Sequence, residues 1–204
     1  MRDNRLSSPL RSPALGCFYV VSSAGSLITA SSPATGQHSC ALDTIQQEME
    51  RLPQGARRLA VQLRIDLKDD LIWSVLTDYE NLSRFIPNLS TSRLLWRRDD
   101  RVGLEQVGCQ QFCGLRFSAR VELELQEVRE HGMLRFAMTQ GDFRRFEGAW
   151  QVSPDPIGSR LLYDLTVQGR PGMPIALIEQ RLREDLAANL RAVQQEALRR
   201  SGRL

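Results

Sequence analysis

Residues 117–128 read FSARVELELQEV, in which Phe117, Ala119, Val121, Leu123 and Leu125 alternate with Ser118, Arg120, Glu122, Glu124 and Gln126. Side chains along a strand point to opposite faces in turn, so this stretch is a long strand with one apolar and one polar face. Similar runs flank it, at about Thr91 to Trp96, Val102 to Phe112, Met133 to Thr139, Phe143 to Val152 and Arg160 to Gln168, the central one itself reaching from Leu115 to Val128. The segments between them carry turn formers: Asp99-Asp100, Gly114, His131-Gly132, Gly141-Asp142, and Pro154-Asp155-Pro156 with Gly158. Connections this short join antiparallel neighbours.

Working outward, Leu59, Val61, Leu63 and Ile65 alternate with Ala60, Gln62 and Arg64 as a first strand. Asp69 or Asp70 then caps a helix whose apolar stripe is Leu71, Ile72, Val75, Leu76 and Tyr79, and Asp78 opens a second short turn ending at Pro87. Beyond Pro171, Gly172 and Pro174, the apolar residues Ile178, Leu182, Leu186, Leu190 and Val193 recur every three or four positions through Arg200, which predicts one long amphipathic helix. The fold class is therefore α+β: a curved antiparallel sheet of about seven strands wrapped on a long C-terminal helix, with two short helices after the first strand. This is the helix-grip order, and such a shape encloses a cavity.

The chain has 204 residues, 42% hydrophobic and 25% charged, which suits one domain with a sizeable core. Its 27 basic and 24 acidic residues leave a net charge of +3, too small to imply a nucleic-acid surface. Lys68 is the sole lysine, so the arginines reflect a general bias rather than phosphate recognition. Cys17, Cys40, Cys109 and Cys113 form neither a dense disulfide framework nor a zinc motif, and Cys109 and Cys113 read as buried reduced thiols. A cytoplasmic protein, peripheral to a membrane at most, is expected. Ala14–Ala30 is too interrupted by Ser and Gly for a span.

Residues 1–55 are expected to be a disordered or weakly structured tail, with a short helix at 43–52, ahead of a ligand-binding domain at 56–204. Arg2, Arg5 and Arg11 before Leu15–Ile28 only faintly follow a targeting pattern, because the apolar stretch is polar in places and lacks a clean cleavage site.

Three local patterns coincide: DLIWSVLTDYENLSRFIPNLSTSRLL at 70–95, GLRFSARVELEL at 114–125 and FEGAWQVSPDPIGSRLLYDLTV at 146–167. With the helix after Pro174, they resemble the START-like superfamily of polyketide cyclases and lipid carriers, and within it the coenzyme Q-binding proteins and their bacterial relatives. The matching positions are Trp73, Asp78-Tyr79, Pro87 and Gly148-x-Trp150. The resemblance implies the helix-grip fold, and beyond it a carrier, a cyclase or a regulator, since this fold hosts all three.

Strand parity and helix periodicity nominate a ligand-lining set. From the sheet come Phe117, Val121, Leu123, Phe136, Met138, Phe146, Trp150, Tyr163 and Leu165, and from the helix Ile178, Leu182 and Leu186. Arg144 shares the parity of Phe146 and Trp150, so it joins the set as a cation facing a ligand carbonyl or carboxylate, or else snorkels at the strand end. Asn189 lies near the apolar stripe, either as a polar contact inside the cavity or at the stripe's edge. Phe85, Ile86 and Pro87 form an apolar lip at the cavity mouth; if exposed, they suit collection of a lipid from a membrane surface.

Histidine occurs only at positions 38 and 131, and His131 sits in a turn, so no acid–base device is indicated. No catalytic residue, metal site or cofactor is assigned. The expected function is noncatalytic binding or transport of a hydrophobic small molecule, with a lipid, isoprenoid or quinone implied by the resemblance. The alternatives are a polyketide cyclase or dehydratase using Arg144, Tyr163 or Glu147, and a regulator that binds the ribosome or another protein.

Overall fold

The structure is a computed structural model that describes residues 44–112, 115–172 and 175–203, with side chains at 44–109, 118–172 and 179–203. Eight strands and two α-helices follow one another: β1 (Gln46–Arg51), β2 (Arg57–Ile65), α1 (Asp69–Leu76), β3 (Leu89–Arg98), β4 (Arg101–Phe112), β5 (Leu115–Val128), β6 (Met133–Gly141), β7 (Arg145–Asp155), β8 (Gly158–Gln168) and α2 (Ile175–Arg200). They build one curved, unclosed antiparallel sheet in the order β1-β2-β8-β7-β6-β5-β4-β3. Strands β3 to β8 form an uninterrupted meander, while β2 crosses back to pair with β8.

The register turns the alternation into a core. Leu59 pairs with Leu165, Val61 with Tyr163 and Leu63 with Leu161. Trp150 faces Tyr163 on the next strand, Phe136 faces Gly148, and Leu125 faces Phe136. Apolar rows thus run across the concave face, and Leu59, Val61, Leu161 and Leu165 are buried. Helix α2 packs its Leu186, Leu190, Val193 and Ala197 against this face, mainly over β2, β8 and α1. Polar contacts moor it at both ends. Glu179 pairs with Arg57, and Arg200 Nη2 reaches Asp78 Oδ2 at 2.6 Å, with Arg203 on Asp66 just beyond.

Three expectations need correction. The stretch expected as a helix at 43–52 holds the edge strand β1, paired with β2 from Gln46↔Gln62 to Arg51↔Arg57, so the sheet begins about ten residues before the boundary at 56. Its sequence, QQEMER, favours helix intrinsically, but the open edge of β2 and the Gln47 Nε2 bond to the Arg183 carbonyl (2.7 Å) override that preference. The strand count is accordingly eight rather than seven. Finally, Lys68 rather than an aspartate occupies the N-cap of α1; Asp69 and Asp70 fill its first turn, near the positive helix end. The tail at 1–43 and Cys113 lie outside the described residues.

Gly148 lies where β6, β7 and β8 approach closely. A Cβ there would strike the Asp164 carbonyl oxygen and come within 2.9 Å of Phe136 Cζ, so the glycine serves backbone approach rather than ligand space. Gly148→Ala should lower stability by about 1–3 kcal/mol, read as a lower urea midpoint at unchanged m-value.

Near the end of α2, Glu196 accepts from Arg199 Nε at 2.8 Å and Arg200 Nε at 2.7 Å, which pulls its pKa down from 4.5 to about 2. A depressed carboxylate stabilises the fold above its unfolded pKa, and that contribution is lost as pH falls through the folded value. Glu196→Gln should therefore lose less stability than the parent chain between about pH 5 and pH 2, measured by thermal melts across that range.

Candidate functional site

The curvature of the sheet leaves a cavity of about 410 Å³ between α2, α1, the segment after α1, and the concave faces of β4 to β8. Its floor is made by Leu104, Val121, Leu123, Leu125, Leu134 and Leu165. Phe136, Phe146, Trp150 and Tyr163 form an aromatic wall: Trp150 and Tyr163 stack at 3.9 Å and 9°, while Phe136 and Phe146 are tilted at 5.8 Å. The helix side is supplied by Leu182, Leu186, Asn189 and Val193, and Ile86, Pro87 and Asn88 stand opposite Arg181 and Asp185 at the mouth.

A side-chain bond spans that mouth. Asn88 Nδ2 donates to Asp185 Oδ1 at 3.1 Å, while its carbonyl accepts from Cys109 N at 2.8 Å. Asn88 holds φ of 60°, a left-handed conformation that asparagine tolerates better than most residues. Deeper in, the Tyr79 hydroxyl donates to Glu127 Oε1 at 2.6 Å, and Arg97 Nη2 reaches the same oxygen at 3.0 Å. Burial and the Glu127 carboxylate hold the Tyr79 phenol far above its ordinary pKa. Tyr163 is likewise raised, by burial alone. Both phenols stay protonated donors across the physiological range.

The sequence that builds this helix, sheet and cavity matches a family model. The family described as "Polyketide cyclase / dehydrase and lipid transport" matches residues 65–194. The chain belongs to that family. Solved START-like structures share its fold. A STAR-related lipid transfer protein from Xanthomonas axonopodis superposes with a TM-score of 0.66 at 17% identity, covering 75% of this chain and 93% of that one. The Zhui aromatase/cyclase from Streptomyces sp. R1128 gives a TM-score of 0.64 at 15% identity, covering 72% and 96%. A START superfamily protein from Mycobacterium smegmatis gives 0.58 at 18% identity, covering 70% and 97%. No curated protein matches significantly. Among the described residues, no helix is long and apolar enough to cross a membrane.

Within this family fold, Val121, Leu123, Phe136, Phe146, Trp150, Tyr163, Leu165, Leu182 and Leu186 come together around the cavity, with Ile86 and Pro87 at its mouth. Three nominated residues do not line it. Met138 packs at the core margin, where β6 skips Thr139 in its register with β5 and parts from β7. Arg144 is exposed in the bend before β7, because Asp142 is drawn toward β5 by bonds between its backbone N–H and the Arg120 carbonyl (2.9 Å) and between the Arg120 N–H and its carboxylate (2.7 Å). Phe85 closes the 3-10 turn Leu82–Arg84 and packs against the core instead of facing the opening. The side chains of Phe117 and Ile178 lie outside the described residues.

The same bend brings in a residue that alternation hides. Phe143 has the opposite parity to Phe146, yet it lines the cavity with its ring 5.4 Å from that of Phe146. Tyr79, Asn88, Gln106 and Asp185 were also absent from the sequence-derived lining set, and periodicity within one element does not say which elements meet. His131 is solvent-exposed.

Asp185→Ala should remove the acceptor for Asn88 and loosen the mouth. Amide hydrogen exchange at residues 86–89 is expected to accelerate while the β5 and β8 amides remain as protected as in the parent.

Proposed function

We propose that this chain is a noncatalytic binder and carrier of a hydrophobic small molecule of lipid, isoprenoid or quinone character. The observation that carries the reading is the cavity of about 410 Å³, walled mainly by Leu, Val, Phe, Trp and Tyr and opening at a lip of Ile86 and Pro87. Burial of apolar guest surface there contributes ~0.8 kcal/mol per methylene. At roughly 30 Å³ per water-sized group, the space takes one ring system or short chain, so a prenylated ring would seat the ring and send its tail out past Pro87. The family's lipid-transport members and the lipid transfer protein of similar fold support the reading.

The cyclase alternative is weakened by where its candidate groups lie. Glu147 pairs with Arg145 and, like the exposed Arg144, lies outside the cavity wall; of the three nominated groups only Tyr163 lines it.

Native mass spectrometry of the purified full-length chain, followed by organic extraction, tests the proposal through any co-purifying apolar molecule. In parallel, the neutral probe N-phenyl-1-naphthylamine should bind with enhanced fluorescence. Leu182→Trp, which fills the half-buried helix side of the cavity, should weaken that binding by about tenfold or more while leaving the melting temperature within a few degrees. Undiminished probe binding in a folded Leu182→Trp variant would place the probe elsewhere and count against the cavity.

A further inference from the structure

Among the described residues, the cavity wall holds one buried polar atom without a hydrogen-bond partner, Asn189 Oδ1, and one phenol that no described residue bonds, Tyr163. Tyr163 is 7% exposed, and its ring is fixed by the stack on Trp150 and by Phe136 at 6.0 Å, yet no described residue bonds its hydroxyl. The Asn189 side-chain oxygen is fully buried and unpartnered. Buried polar groups are nearly always paired, and an orphan is destabilising because its lost hydration is not replaced. An orphaned amide oxygen and an unbonded phenol on one apolar cavity are therefore a feature to be explained by what enters it.

The fold brings the two to the same depth. Helix α2 is moored to the start of β2 by Glu179–Arg57 and to its far end by Arg203–Asp66. Val61 is the middle residue of β2 and pairs with Tyr163 on β8. The middle of the helix between its two moorings falls at Leu190 and Arg191, one turn or less from Asn189. Asn189 on α2 and Tyr163 on β8 thus both line the cavity at a similar level along the helix and the strand, with Trp150 stacked on Tyr163.

We infer that Tyr163 and Asn189 form a polar subsite in this cavity, and that its ligand is a neutral apolar molecule carrying a hydroxyl group that donates to Asn189 Oδ1 and accepts from the Tyr163 hydroxyl. The inference rests on the binding function proposed above and names the chemistry of its ligand. A hydroxyl both donates and accepts, as this pair of groups requires. A ketone or ether accepts from Tyr163 but leaves the Asn189 oxygen orphaned. A carboxylate brings a buried charge, and among the described lining residues the cation is Arg181, which stands at the mouth and pairs with Glu184. The raised pKa of Tyr163 keeps its phenol a donor.

The test is a titration of the full-length chain with 2-naphthol, 2-methoxynaphthalene and naphthalene, followed by calorimetry. The parent protein should bind 2-naphthol about tenfold more tightly than either of the others. Asn189→Leu and Tyr163→Phe should each cut that preference to about threefold or less while retaining affinity for naphthalene. Asn189→Leu should also raise the melting temperature of the ligand-free protein, because it removes an orphaned carbonyl; a residue with a purely structural bond would lower it. Equal affinity of the parent for all three compounds, or a preference that survives both substitutions, overturns the subsite and leaves the cavity as a binding site. Failure of all three to bind the parent overturns the binding function and the subsite with it.

Discussion

Everything in this molecule depends on one helix lying across a sheet that is wider than the helix can cover. The stripe Leu186, Leu190, Val193 and Ala197 packs chiefly on β2, β8 and α1, while β4 to β7 curve away from it. Were the sheet flat, or the helix centred, the inner faces of those strands would meet solvent or a solid core. Because the sheet curls and the helix is held at one side, Leu123, Phe136 and Trp150 face a space instead. The polar moorings at Glu179, Arg200 and Arg203 set the helix lengthwise, and the leucines set its depth. Exposed pairs such as Arg203–Asp66 contribute little energy singly, and in the more buried Glu179–Arg57 pair desolvation offsets the attraction, so their part here is register rather than strength.

The division between apolar packing and polar placement recurs inside the cavity. Its floor is aliphatic and nonspecific, suited to any guest of about the right size. The few polar groups are rigidly presented: Tyr163 by its stack on Trp150, Tyr79 by Glu127 and Arg97, and Asn88 by its left-handed backbone and its bond to Asp185. Binding sites of this kind draw affinity from apolar area and orientation from a small number of fixed donors and acceptors.

Much of this was legible in the sequence, for definite reasons. Strand β5 alternates strictly from Ser118 to Gln126, because one face meets apolar groups and the other is polar, and a two-residue period leaves little ambiguity about which side chains point inward. Helix α2 was legible from its spacing in the same way. Strand β1 was not: QQEMER is mostly exposed on both faces, carries a single partly buried Met49, and becomes a strand only because β2 offers it an open edge. The bend between β6 and β7 defeated parity, turning Arg144 out and Phe143 in. The residues supplied by α1, by the segment after it and by the far side of α2 depend on which elements touch, and no local pattern records that.

The strand order also fixes how the molecule must assemble in time. Neighbours β3 to β8 are joined by tight hairpins, so that meander involves only short loop closures and little entropy for each pairing. The joint between β2 and β8 brings together residues such as Arg57 and Val167, and α2 can dock only once that joint exists. The most buried seam therefore joins segments far apart in the chain, and its closure costs more loop entropy than any hairpin of the meander. Until it closes, the aromatic wall of Phe136, Phe146 and Trp150 lies open on an unfinished sheet, so a guest present during folding meets its site before the last wall is in place.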